Sequence, residues 1–311
     1  MVDRTVLLDV TIRDGGYVNG HSWTTAQASQ VVAACSAAGV PYSEVGYLRP
    51  ERQQVDGDEA PSASCPPAYL EKLREAAAGA ELVVMAHAKD AMPQSVARLA
   101  DFGVGMVRMP TRPDQVARLA PYAEAVHGAG MAFAVNLIRV SELTERAVAE
   151  AAQAAEKLSV DIFYLADSNG SLLPEDVTRL WGPVRENVGA VLGFHLHDGI
   201  SMGFANALAA MQQGFTYIDA SLSGMGKGGG NLPLELIAAY LRSRSGREFK
   251  VTPLIETAAE LLKPWKGNQI LAQCEAMVGG MLDLNMDELA ELNGAGARNV
   301  LTILDGASAS Q

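Results

Sequence analysis

The stretch Asp9-Val10-Thr11-Ile12-Arg13-Asp14-Gly15-Gly16 follows a short apolar run that begins at Val6, and its reading decides the fold. A β-strand that ends here hands over to its first loop at Arg13 and Asp14. An open, doubly wound sheet usually carries a glycine-rich phosphate turn at this point, and Asp9–Gly16 does not have that spacing. Further β-rich runs recur near Ser43–Gly46, Leu82–Ala86, Met106–Met109, Ala132–Asn136, Ile162–Leu165, Leu192–His197 and Tyr217–Ala220, with starts 24 to 39 residues apart. Between them lie Ala-, Leu-, Glu- and Gln-rich stretches such as Thr25–Ala38, Ala68–Ala78 and Glu142–Leu158. Gly39, Gly130 and Gly214 stand where helices would close in a left-handed cap. Eight βα units in about 240 residues predict an α/β fold, a (β/α)8 TIM barrel with a C-terminal helical extension.

The pattern changes after Ser243. The expected division is a catalytic barrel over residues 1–243, a helical extension over 244–305 and a frayed tail over 306–311. Within the extension, Thr252–Leu262 reads as a helix stopped by Pro264, Asn268–Leu284 as an apolar, Met-rich second helix and Met286–Leu292 as a third. Such apolar helices are expected to pack on the barrel or on another subunit, in a homodimer or higher homo-oligomer.

Of the 311 residues 49% are hydrophobic and 19% charged, enough for a sizeable core. The 24 Lys and Arg against 36 Asp and Glu leave a net charge of −12, which argues against nucleic acid or an anionic membrane as the main partner. No apolar run approaches the ~20 residues of a membrane helix, and the N-terminal run is too short for a signal peptide. Three widely spaced cysteines, Cys35, Cys65 and Cys274, suggest core filler in a reducing cytoplasm rather than a disulfide framework.

Strand ends and the loops after them form the active face of a TIM barrel. Those positions hold Arg13 and Asp14, then Glu44, Tyr47 and Arg49, then Asp167-Ser168-Asn169-Gly170, then His195-Leu196-His197-Asp198, and finally the glycine-rich Gly224–Asn231. His195 and His197, at i and i+2 on a strand, point to the same side. With Asp14 reaching across the mouth they make three ligands of an octahedral divalent cation, leaving positions for a bidentate 2-oxo acid. The bland alternative is a pair of hydrogen-bonded core histidines. Arg13 is placed to stabilise an enolate oxygen, or to form an ion pair with Glu44, or both. Ser168 is either a donor to a substrate carboxylate or a turn residue. The loop Gly224–Asn231 lacks Walker spacing and reads as a flexible lid or ligand-approach segment, with Asn231 offering a neutral oxygen to the ion. His87, at a strand end, carries less weight, and His127 reads as surface.

At these residues the sequence resembles the DRE-TIM metallolyases, the HMG-CoA lyase-like superfamily, and most resembles its 4-hydroxy-2-oxovalerate aldolase branch. The matching motifs are Leu8–Gly15, Phe194–Asp198 and Asp219–Gly226 running on to Asn231, across residues 5 to 240. The resemblance implies Asp14, His195 and His197 as metal ligands, Asn231 as a ligand or close neighbour, and Arg13 as enolate stabiliser. It also implies Ser168 as a contact to the 2-oxo acid and Glu44 as the group that orients Arg13. The cation expected is Mn²⁺, Mg²⁺ or Co²⁺, since no thiolate accompanies the histidines. Where the aldolases carry a catalytic histidine this chain has Tyr17, with His21 four residues on. A phenol is a poor base at neutral pH, so proton abstraction is assigned to His21 and orientation or proton return to Tyr17. The resulting expectation is a metal-dependent aldolase acting on a pyruvate-like 2-oxo acid and an aldehyde. The alternatives are a Claisen-type acyl-CoA condensing synthase and a non-catalytic binding barrel.

Overall fold

The computed structural model describes residues 4–49, 60–245, 247–266 and 283–294. All eight expected strands form: β1 (Val6–Asp9), β2 (Tyr42–Leu48), β3 (Glu81–Ala86), β4 (Val104–Thr111), β5 (Ala132–Leu137), β6 (Ile162–Asp167), β7 (Val191–Leu196) and β8 (Tyr217–Ala220). They pair in chain order, all parallel, and β8 returns to β1 to close the barrel. Around it run α1 (Gly16–Asn19), α2 (Thr25–Ala38), α3 (Pro67–Ala77), α4 (Pro93–Ala97), α5 (Ala120–Gly128), α6 (Glu145–Lys157), α7 (Pro174–Arg185), α8 (Gly203–Gln213) and α9 (Leu234–Ser245). Helix α2 shows how local sequence sets these limits. Thr24 and Gln27 satisfy each other's backbone N–H groups in a capping box, and Gly39 at φ +85° ends the helix.

Strand alternation splits the core into two layers. Leu7, Val45, Val84, Val107, Phe133, Phe163, Phe194 and Ile218 face the helices. Leu8, Val83, Met106, Ala134, Ile162 and Tyr164 fill the barrel interior. After α9 the chain stays on the barrel: α10 (Thr252–Leu261) lies against α2, and Trp265 in α11 (Lys263–Lys266) meets Trp23 edge-to-face at 4.9 Å. Helix α10 ends at Leu261, ahead of Pro264 as expected, and Pro264 falls in the first turn of the short α11. Most of the expected Asn268–Leu284 helix, with the subunit pairing assigned to it, lies outside the described residues, as does Cys274. The third expected helix, α12 (Met286–Gly294), forms and is tied to the strand-end face. Asp287 accepts from Arg139 Nη2 at 3.0 Å, and Asp283 accepts from Asn169 and from Ser171 Oγ. Among the described residues no helix is long and apolar enough to cross a membrane.

One polar residue sits in the outer layer. Asp9 shares the outward face of β1 with Leu7 and is fully buried beside Cys35 of α2. It accepts from the Thr11 N–H at 3.0 Å and from the Thr11 hydroxyl, whose oxygen in turn accepts from the Leu222 N–H at 2.8 Å. Burial pushes its carboxyl up to about 7, with the Thr11 and Cys35 hydrogen bonds opposing. Between pH 4 and 7 the folded chain therefore keeps a proton that the unfolded chain has released, so this group's contribution to stability falls as pH rises through that window. An Asp9→Asn variant mimics the protonated form. Its stability relative to the parent should rise by up to about 1.4 kcal/mol per pH unit between pH 4 and 7 and stay level above. Urea denaturation across pH measures this, and a difference that does not vary with pH would show that Asp9 titrates normally.

Candidate metal centre

The turn after β1 and the end of β7 meet at the barrel mouth. The Asp14 N–H donates to the Val10 carbonyl at 2.8 Å, which winds the chain into a tight turn and aims the carboxylate inward. His195 and His197 lie two residues apart at the end of β7, their rings 4.9 Å apart at centroid. Ligand atoms of Asp14, His195 and His197 all lie within 4.8 Å of one another, and all three residues are buried. The three residues expected to hold a cation are thus brought together.

Their chemistry fits one. Burial works to raise the Asp14 carboxyl, but Arg13 and the two histidines outweigh it and hold it well below the usual carboxylate range. Burial pushes the His197 imidazole down to about 4; Asp14 opposes this, while His195, Lys227 and Arg13 add to it. At neutral pH His197 is therefore uncharged, as a ligand must be. His195 Nδ1 is bonded to Asp219 Oδ2 at 2.8 Å, which leaves Nε2 for a cation, the carboxylate–histidine arrangement common behind metal sites. Two further buried polar atoms, His197 Nδ1 and Asn231 Oδ1, have no protein partner.

Asn231 reaches the site through the glycine-rich loop. Its Nδ2 donates to Asp14 Oδ2 at 2.9 Å, and the Lys227 N–H donates to the same oxygen at 3.1 Å. The loop is not a loose lid: it folds back on itself through Asn231 N–H to the Gly224 carbonyl (2.9 Å) and Gly230 N–H to the Lys227 carbonyl (3.1 Å). Gly226 is required by proximity, since a Cβ there would stand 2.3 Å from Asn231 Nδ2.

Below the three ligands runs an ion network that the sequence reading only half anticipated. Arg13 Nε donates to Glu44 at 2.6 Å and its Nη1 to Asp14 at 2.5 Å, so the expected pair with Glu44 is real. Arg108, from the middle of β4, was not singled out. Fully buried over the Tyr164 ring, it lies 3.3 Å from Glu44 and 2.5 Å from Asp219. The available signal was an arginine inside the apolar Met106–Met109 run, where a charge has to have partners. Arg13 keeps one buried nitrogen, Nη2, without a partner.

The far wall of the mouth comes from β2. Gly46, at φ +150°, lies in a bulge: between the pairs Glu44–Val83 and Tyr47–Met85, two residues of β2, Val45 and Gly46, oppose one of β3, Val84. The extra residue puts Tyr47 on the same side as Glu44. Tyr47 is 2.8 Å from Tyr17, hydroxyl to hydroxyl, and its ring lies 5.7 Å from those of His21 and His87. Tyr17 is exposed, whereas His21 is buried, at φ +59°, with Nδ1 unpartnered. Burial, then Arg49 and Arg13, push His21 down to about 4. On the opposite side, Ser168 Oγ accepts from the Arg139 N–H at 2.9 Å. With His197 and Lys227 it lines a small, partly open pocket that Leu284, Met286 and Leu289 also line. His127 sits at the surface, 3.0 Å from Asp161, and Cys35 and Cys65 are buried in the core, as expected.

His195→Ala and His197→Ala should each weaken Mn²⁺ binding at least 100-fold. Asp219→Asn, which removes only the support behind His195, should weaken it about 10- to 100-fold. Isothermal titration with Mn²⁺ measures all three, and unchanged affinity in both histidine variants would place the cation elsewhere.

Residues 4–262 match the HMGL-like family. A 4-hydroxy-2-oxovalerate aldolase of Moorella thermoacetica is 30% identical over 267 residues, which span 83% of this chain and 76% of the relative. An oxaloacetate decarboxylase of Mycobacterium tuberculosis is 27% identical over 239 residues, 77% of this chain and 70% of the relative. The hydroxymethylglutaryl-CoA lyase of Pseudomonas aeruginosa superposes with a TM-score of 0.72 at 20% identity, covering 84% of this chain and 92% of the lyase, a likeness of fold. With most of its length matched, barrel and mouth included, the chain belongs to the HMGL-like family.

Proposed function

We propose that this carbon–carbon lyase is a divalent-metal-dependent aldolase that makes or cleaves the bond between the enolate of a pyruvate-like 2-oxo acid and an aldehyde. The observation that carries the reading is the convergence of Asp14, His195 and His197 within 4.8 Å, beside a buried arginine with a free nitrogen. A bound Mn²⁺, Mg²⁺ or Co²⁺ would supply Lewis-acid polarisation of the 2-oxo carbonyl. Charge balance supports an anionic substrate: Arg13 and Arg108 against Asp14, Glu44 and Asp219 leave one negative charge, which a divalent cation converts to one positive.

Arg13 is oriented by Glu44, and its free Nη2 is the donor for negative charge that develops on the carbonyl oxygen. Ser168, whose oxygen already accepts from Arg139, keeps its O–H to donate to the substrate carboxylate. The proton at C3 goes to His21, which its depressed pKa keeps neutral and able to accept. The Tyr17 hydroxyl, held against Tyr47, orients the aldehyde oxygen and returns a proton to it. Cleavage runs the same steps in reverse.

Pyruvate in deuterated water with Mn²⁺ should lose its C3 protons to exchange when the protein is added, followed by proton NMR. His21→Ala should slow exchange by about 10² to 10⁴ and leave Mn²⁺ affinity nearly unchanged, with Tyr17→Phe milder. Absence of exchange with every added divalent cation refutes the aldolase reading. Thiol release from an acyl-CoA would point to the condensing-synthase alternative.

A further inference from the structure

The wall carried by β2 holds a group that the mechanism above does not use. Beyond the bulge, Tyr47 and Arg49 are two residues apart and share a side, and the Arg49 guanidinium lies over the Tyr47 ring at 5.0 Å from its centroid. The strand register ends on Leu48 beside Ala86, one residue short of Arg49 and His87, and the His87 ring also stacks on Tyr47, at 5.7 Å and 25°. Across Tyr17, the Lys227 ammonium lies 5.4 Å from the Tyr17 ring. The two tyrosines are joined through their hydroxyls, so Lys227, Tyr17, Tyr47 and Arg49 form a chain of contacts along this side of the mouth. Among the described residues Arg49 has no carboxylate partner and no hydrogen bond, although it is only half exposed.

A guanidinium held over an aromatic ring with its N–H fork free, and an imidazole packed on the same ring, match a carboxylate in charge and shape. We infer that Arg49, with His87, binds a second carboxylate at the far end of the substrate, so that the aldehyde half carries an acid group and the carbon–carbon bond lies within a 2-oxo dicarboxylate. This inference rests on the aldolase reading for the near end, where the 2-oxo acid is held. Stacking on Tyr47 holds the guanidinium on the β2 wall, opposite the Ser168 side assigned to the carboxylate of the 2-oxo acid, so the two anionic ends of the ligand would span the mouth.

Two five-carbon acids test it, 2-oxoglutarate and 2-oxovalerate, which differ only in a terminal carboxylate. With Mg²⁺ in excess, calorimetric titration of the full chain should show 2-oxoglutarate binding at least tenfold tighter. Arg49→Gln should bring that ratio close to one, and Arg49→Lys should keep an intermediate ratio, with the thermal midpoint by circular dichroism confirming that both variants fold. A parent ratio near one, or a ratio that survives Arg49→Gln, overturns the inference. Pyruvate exchange on the same preparations separates the two levels: exchange without dicarboxylate preference removes the Arg49 subsite alone. Neither exchange nor binding of any 2-oxo acid removes the aldolase reading and the subsite with it.

Discussion

The site depends on one buried guanidinium. Arg108 is enclosed in the barrel, and removing such a charge from water costs several kcal/mol unless it is matched. Burial pushes its pKa down, while Asp219 and then Glu44 more than restore it. Each of those carboxylates has a second client at the mouth: Glu44 holds Arg13, and Asp219 holds His195. A single guanidinium between Glu44 of β2 and Asp219 of β8 thus fixes both Arg13 and His195, the proposed enolate-side donor and one proposed metal ligand. Breaking one contact would leave an uncompensated charge in the interior, so the whole set is held to one geometry.

Above this layer the mouth divides by function. The β7 and β8 side contributes histidines, Asn231 and Asp219 and is shaped for a cation. The β2 and β3 side contributes Tyr47, Arg49 and His87 and is shaped for an anion or a π-face. The turn after β1 lies between them and gives Asp14 to one and Tyr17 to the other. The bulge at Gly46 is the hinge of this arrangement, because without the extra residue Tyr47 would face the helices. Gly46 is also obligatory: a Cβ there would stand 2.1 Å from the Ser62 carbonyl oxygen.

The sequence is informative wherever a property is local. Short β-rich apolar runs located all eight strands, Gly39 and Gly214 marked helix ends, and the two-residue spacing of His195 and His197 put both imidazoles on one side. Asp14 needed only the order of strands in a barrel. Arg108 and Asp219 were missed because their pairing joins residues 111 apart in sequence, across the barrel interior, and no periodicity reports it. The side that Tyr47 faces was hidden for a different reason: a bulge reverses the alternation that a sequence reader counts on. The tail shows a third limit. That α12 would form was legible, but the contacts of Asp283 and Asp287 at the mouth follow from where the preceding chain delivers them.

The three ligands come from opposite ends of the barrel's chain. Asp14 and His195 are separated by 181 residues, and β1 lacks one neighbour until β8 arrives beside it. During synthesis the emerging chain carries one ligand for most of its length, and the other two are added only after six strands already exist. If these residues hold the proposed cation, its complete site would exist only once β7 has joined the barrel. On the proposed reading, a cation held by these residues would link the β1 turn to β7, beside the seam where β8 closes the barrel on β1. Closing so long a loop carries an entropy cost, and a cation at that seam would act as a clasp, so on the proposed reading starvation for the metal would loosen the barrel there first.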